Sequence, residues 1–211
     1  MSIELTEYLR ELSIAFVPFL FAITVHEFSH GYIAYKLGDD TAKLAGRLTL
    51  NPFAHIDILG LLFLIITRLF GWAKPVPVNF SRLKCRKYGV IYVAIAGPVS
   101  NFITAAISAI LLKLISNVSV TNQYLFNIAE GFAYMLFFSV QINVALGIFN
   151  LIPILPLDGG RILQGLLPYN KAESFSKLEP YGFLVILLLL ITNVIDYCLV
   201  PIIKSIVHLL V

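Results

Sequence analysis

Charge is what this sequence has least of. Of its 211 residues only 13% are Asp, Glu, Lys or Arg, against 59% hydrophobic, and mean hydropathy is +0.89. A water-soluble domain carries about 25% charged and roughly 45–50% apolar residues. The deficit is too large to keep a surface wet, which excludes a soluble globular enzyme. Cysteine is scarce too: Cys85 and Cys198 are too few and too far apart for a disulfide framework or a thiolate metal site. Basic runs are missing. The 15 Lys+Arg against 12 Asp+Glu leave a net charge of +3 with no patch of the kind that grips nucleic acid, so no such partner is expected. The first twelve residues hold three acids and one Arg, unlike the basic start of a cleaved signal peptide. No loop is long enough for a soluble regulatory domain, and no internal repeat appears. The composition implies one polytopic membrane unit over 1–211, with a core at about 12–168 and a C-terminal helical segment at about 181–211.

What is present in abundance is apolar runs. A spanning helix needs about 20 such residues, and four segments are long enough: roughly 12–37, 89–115, 131–154 and 181–200. Two shorter runs, 56–71 and 201–211, bring the expected number of transmembrane helices to between four and six. Lys and Arg in short loops mark the cytoplasmic side. The stretch 72–88 carries Lys74, Arg82, Lys84, Arg86 and Lys87, and 155–180 carries Arg161, Lys171 and Lys177, whereas Asn117–Asn127 has none. If 56–71 dips in and returns, nearly all loop cations fall on one side and the N-terminus lies outside. If it spans, the N-terminus lies inside. The first arrangement is favoured.

Inside the first apolar run sits His26-Glu27-Phe28-Ser29-His30. Ionisable residues at membrane depth are costly and usually functional. Residues four apart on a helix share a face, one turn apart. His26 and His30 can therefore converge on one metal ion while Glu27 reaches a water beside it, the HExxH arrangement of zinc enzymes. The bland alternative is polar residues that hold helices together. Catalytic zinc takes three protein ligands, and the third could come from His55, Asp57, Glu130, Asp158, Asp196 or His208. Asp158 stands out because it ends the third apolar run. There Pro153 and Pro156 break the helix, and Gly159 and Gly160 permit close backbone approach.

Three motifs in order, the HExxH on its apolar helix, Gly97-Pro98-Val-Ser-Asn101, and Asn150 with Leu157-Asp158-Gly159, resemble the site-2 protease family of intramembrane zinc metallopeptidases. Gly46–Asn51 with Pro52, His55 and Asp57, and Trp72–Asn79, look like that family's compact prokaryotic branch. The resemblance covers about residues 20–185. It implies an all-α polytopic membrane fold, one Zn2+ per chain held by His26, His30 and Asp158, and Glu27 as general base. It implies Asn150 as a substrate-binding residue. Asn101 matches a family position read either as substrate-binding or as helix packing and site support. Gly46–Asn51 and Pro75–Asn79 would form a small membrane-embedded β-hairpin-like region that receives the substrate as an added strand, with a plain loop as the alternative. Expected partners are transmembrane protein substrates and membrane lipids, with room for a homo-oligomer. The expected site is the cell membrane, with the catalytic centre near the cytoplasmic side. The rival functions are an inactive membrane scaffold and a metal transporter.

Depth offers a check. With the N-terminus outside, the HExxH follows some 14 apolar residues and precedes the inner exit by about 7, near the depth of Asp158. With the N-terminus inside, the two halves would miss each other by about 10 Å or more at 1.5 Å per residue.

Overall fold

The computed structural model describes residues 3–60, 62, 72–118 and 121–211. Eight α-helices are built from these residues: α1 (Ile3–Lys36), α2 (Thr41–Leu44), α3 (Arg86–Ser116), α4 (Gln123–Asn150), α5 (Asp158–Leu166), α6 (Tyr169–Ser176), α7 (Glu179–Ile191) and α8 (Val194–Leu210). Single 3-10 turns stand at Pro52–Ala54 and Phe80–Arg82. Three helical stretches are long and apolar enough to cross a bilayer, Ser13–Lys36, Tyr88–Ser116 and Gln123–Asn150. A fourth span is possible only if α6 and α7, bent by 63°, count as one.

The core is a three-helix unit in which α1, α3 and α4 pack against one another, with α5 on α3 and α8 on α4. Small residues make the close seam: Ala105 and Ala109 of α3 meet Val140 and Val144 of α4, and Ile203, Ile206, Val207 and Leu210 of α8 cover them. Lipid gives no hydrophobic drive for helix association, so close van der Waals approach of small side chains must supply it. The opposite face of α3 presents Ile103, Ile107, Ile110 and Leu114 outward. Outward aliphatic residues at helical spacing are what a lipid solvent demands.

Several expectations need correction. The run 181–200 is not one helix: α7 ends at Ile191 and the chain turns through Asn193, whose φ of 57° lies in the left-handed region. Asn tolerates that conformation, and hydropathy alone cannot see such a break. The third run starts earlier than 131, because the Asn122 side chain accepts from the N–H groups of Tyr124 and Leu125 and caps α4 there. It also stops at Asn150, short of Pro153. The spanning count among the described residues is therefore three, or four if the bent pair is one span, which meets only the lower end of the expected four to six. Residues 61 and 63–71, on which the choice between a span and a re-entrant segment depends, lie outside the described residues.

The β-hairpin-like region is also corrected: no strand occurs among the described residues. Pro75 and Pro77 have no N–H to offer a ladder. The N–H donors around them point elsewhere, Lys74 to His55 O (3.0 Å), Val76 to Glu27 Oε2 (2.7 Å) and Asn79 to Asp39 Oδ2 (2.6 Å). The two stretches do lie side by side, joined by Arg47 Nη2 donating to Lys74 O (2.8 Å). Asp39, fully buried, also accepts from the N–H and hydroxyl of Thr41, so it ties the end of α1 to the extended segment.

Candidate metal centre

His26 and His30 share one face of α1, and their rings meet edge-on with centroids 4.6 Å apart. Their Nε2 atoms are 3.0 Å apart. Asp158 arrives from the first turn of α5, with Oδ2 3.2 Å from His26 Nε2 and Oδ1 3.3 Å from His30 Nε2. A carboxylate there also suits the positive end of the helix dipole. Gly159 and Gly160 bring α5 against the preceding turn, where a Cβ on either would overlap the backbone of Leu151 or Ile154–Leu155. Asn150, Pro153 and Pro156 therefore belong to a tight fold-back that delivers Asp158.

The outer edges of both imidazoles are occupied. His30 Nδ1 lies 2.7 Å from Val93 O, and His26 Nδ1 lies 2.6 Å from Asn101 Oδ1. Both partners accept, so both Nδ1 atoms carry hydrogen, and in the neutral rings both Nε2 lone pairs turn inward. Two lone pairs and a carboxylate then converge within one small volume, and Asp158 Oδ2 is buried with no hydrogen-bond partner. Such convergence is favourable only around a positive charge. Ligand atoms on zinc at about 2.0–2.1 Å in tetrahedral geometry stand roughly 3.3–3.4 Å from one another. The observed spacings fit that, as does the N2O donor set. Among the described residues this is the group of three His, Cys, Asp or Glu side chains placed to hold a metal ion.

Glu27 stands next to the ligands with Oε2 fixed by the Val76 N–H. Asn101 is fully buried, and its amide is spent on Ala22 O (3.2 Å), Asn143 Oδ1 (2.9 Å) and His26. Asn150, at the end of α4, donates its Nδ2 to Leu146 O (3.0 Å) on its own helix. His55 is not in the metal group; its Nε2 donates to Thr49 O (2.8 Å). Arg161 pairs with Glu179 and lies over the Phe80 ring, which binds α5 to α7.

Three features escaped the sequence reading. A Cβ on Gly97 would fall 2.6 Å from His26 Nε2 and closer still to His30 Nε2, so α3 can lie against the ligands only with glycine there. The Val76 N–H and the buried Asn143 were also missed. Asn143 had a signal: it is one of few amides inside an apolar run, and polar side chains at that depth usually have a partner.

Residues 14–192 match the family model described as peptidase family M50. A relative from Bacillus subtilis, YwhC, is 41% identical over 90% of this chain and 85% of its own length. Rip2 of Mycolicibacterium smegmatis is 28% identical over 90% of this chain and 71% of its own. Both carry provisional zinc-metalloprotease names. The protein named zinc metalloprotease MJ0392 of Methanocaldococcus jannaschii is 26% identical over 92% of this chain and 46% of its own. No solved structure matches the chain.

Proposed function

The chain belongs to peptidase family M50, the site-2 protease family, and on that premise we propose how its residues carry out zinc-dependent hydrolysis of peptide bonds within the membrane. The convergence of His26, His30 and Asp158 carries the reading. These three would hold the zinc ion, one per chain, and the bound metal would supply Lewis acidity, lowering the pKa of a water toward 7 and polarising the scissile carbonyl. Glu27 is the general base. Val76 fixes one of its carboxylate oxygens, and the other takes a proton from the attacking water. The water oxygen joins the carbonyl carbon, the C–N bond breaks, and Glu27 returns the proton to the leaving nitrogen.

Asn150 contributes its amide to the substrate strand or carbonyl from the end of α4. For Asn101 the fully committed amide supports site support over substrate contact. The catalytic core comprises about residues 12–168, and α7 and α8 buttress it as part of the same domain. Substrates are membrane proteins; within a transmembrane helix the amides are paired internally, so the helix must unwind locally before a carbonyl reaches the site. The location is the cell membrane, with the site nearer the cytoplasmic side. Cations cluster at 72–88 and 155–180, at the same end of α3 that Val93 and Gly97 bring to the ligands. The test is cleavage of a model transmembrane substrate in detergent or proteoliposomes. Glu27→Gln should keep zinc and lose turnover by about 10²–10⁴-fold, the usual worth of a general base. Retained cleavage would sink the base assignment.

A further inference from the structure

Behind His26 runs a chain of buried amides that no ligand role requires. Asn143 of α4 is fully buried, and its Nδ2 lies 2.9 Å from Ser139 O. A carbonyl oxygen can only accept, so the nitrogen of the Asn143 amide must face it, and Oδ1 must face Asn101. The Asn101 amide nitrogen then sits between two acceptors, Asn143 Oδ1 at 2.9 Å and Ala22 O at 3.2 Å. Its oxygen is left for His26 Nδ1, 2.6 Å away. The shorter bond to Asn143 and the longer one to Ala22 O require the same orientation of Asn101, and the anchors at Ser139 and Ala22 are backbone groups that cannot reverse their role.

We infer that Asn143 is a positioning residue that sets the tautomer of His26 through Asn101. With the relay intact, the imidazole hydrogen is held on Nδ1 and the Nε2 lone pair faces Asp158 and His30. If Asn101 turned over, its N–H2 would face His26, Nδ1 would become the acceptor, and the hydrogen would move to Nε2, where it blocks coordination. Asn143 touches neither the metal position nor substrate; it acts at two removes, from a helix that supplies none of the ligands. Partners that orient a ligating His are typically worth 10–100-fold in metal affinity.

The inference rests on the zinc reading above, and its test separates the two. Selective 15N labelling of histidine, read by NMR in the metal-free protein, reports which ring nitrogen of His26 carries hydrogen. Wild type should show Nδ1–H. A bare Nδ1, with hydrogen on Nε2 alone, would overturn the relay without any variant. Asn143→Ala should populate the other tautomer and weaken zinc binding 10–100-fold against a competing chelator. Asn143→Asp, a buried carboxyl that stays neutral and offers one donor and one acceptor, should restore most of that loss. Ser108→Ala cuts the hydroxyl pair between α3 and α4, Ser108 to Ser139 at 2.8 Å, and leaves Asn143 Nδ2 on both Ser139 acceptors, the carbonyl at 2.9 Å and the hydroxyl at 3.3 Å. Its zinc affinity should stay at the wild-type level. Equal loss in Ser108→Ala and Asn143→Ala would mean that the helix seam, not the relay, is at work, and would overturn the inference. A wild type that binds no zinc would defeat the metal-site reading while the tautomer measurement still decides the relay.

Discussion

Replacing Gly97 by alanine adds one methyl group at the most crowded point of the molecule. The new Cβ would stand 2.6 Å from His26 Nε2, where ordinary contact begins near 3.4 Å. Either α3 withdraws from α1 by about 0.8 Å or more, or both imidazoles swing off their positions. Withdrawal also stretches the Val93 O bond to His30 and the Asn101 bond to His26, because Val93 and Asn101 lie on α3 within one turn of Gly97. Overpacking of this kind costs about 1–3 kcal/mol of stability, too little to unfold a helix bundle outright. Its effect on chemistry is larger, since a displacement near 1 Å can cost roughly 10²-fold in rate. Gly97→Ala should therefore remain helical by circular dichroism, yet purify with little zinc and cleave at least about a hundredfold more slowly. The assays are metal analysis by inductively coupled plasma mass spectrometry and cleavage of a transmembrane substrate. Full zinc with full activity would refute the claim that the ligands meet against α3.

Other outcomes follow from the same contacts. Asp39→Ala leaves the Asn79 N–H and the Thr41 groups without their buried acceptor; an orphaned buried donor costs about 1–3 kcal/mol, and thermal unfolding in detergent should show that loss. The same variant frees one end of the segment that carries Val76, so turnover should fall while zinc content holds. Stripping the metal with a strong chelator should lower the melting temperature by mass action, in step with free zinc concentration, and zinc resupply should restore it; a melting temperature indifferent to zinc would count against a folded-state site. Arg161→Ala removes a half-exposed pair to Glu179 and should leave zinc content unchanged, as measured by metal analysis.

Much of the site was legible because its chemistry is written locally. Two His at helical spacing with Glu27 between them need only α1 to be a helix, and the Asp158-Gly-Gly break needs only the adjacent prolines. What stayed hidden is tertiary. Gly97 reads only as the first residue of a motif until α3 is laid on α1, and Val76 reads as part of a hairpin-like stretch until its N–H is seen on Glu27. Asn143 is one amide in an apolar run until Asn101 and Ser139 are placed beside it. The β-hairpin expectation failed for a reason visible in hindsight: Pro75 and Pro77 withhold donors a ladder needs, and the side chains of Glu27 and Asp39 take the N–H groups of Val76 and Asn79. The broken run at Asn193 shows the limit of counting apolar residues, since one left-handed residue divides a stretch that hydropathy reads as continuous.

The most direct test of the central claim is zinc per chain in gently purified wild type beside Asp158→Ala. A value near one that collapses in the variant is the predicted result and would establish Asp158 as the third ligand beside His26 and His30. Wild type that stays zinc-free after resupply, or a variant loaded as fully as wild type, would contradict it.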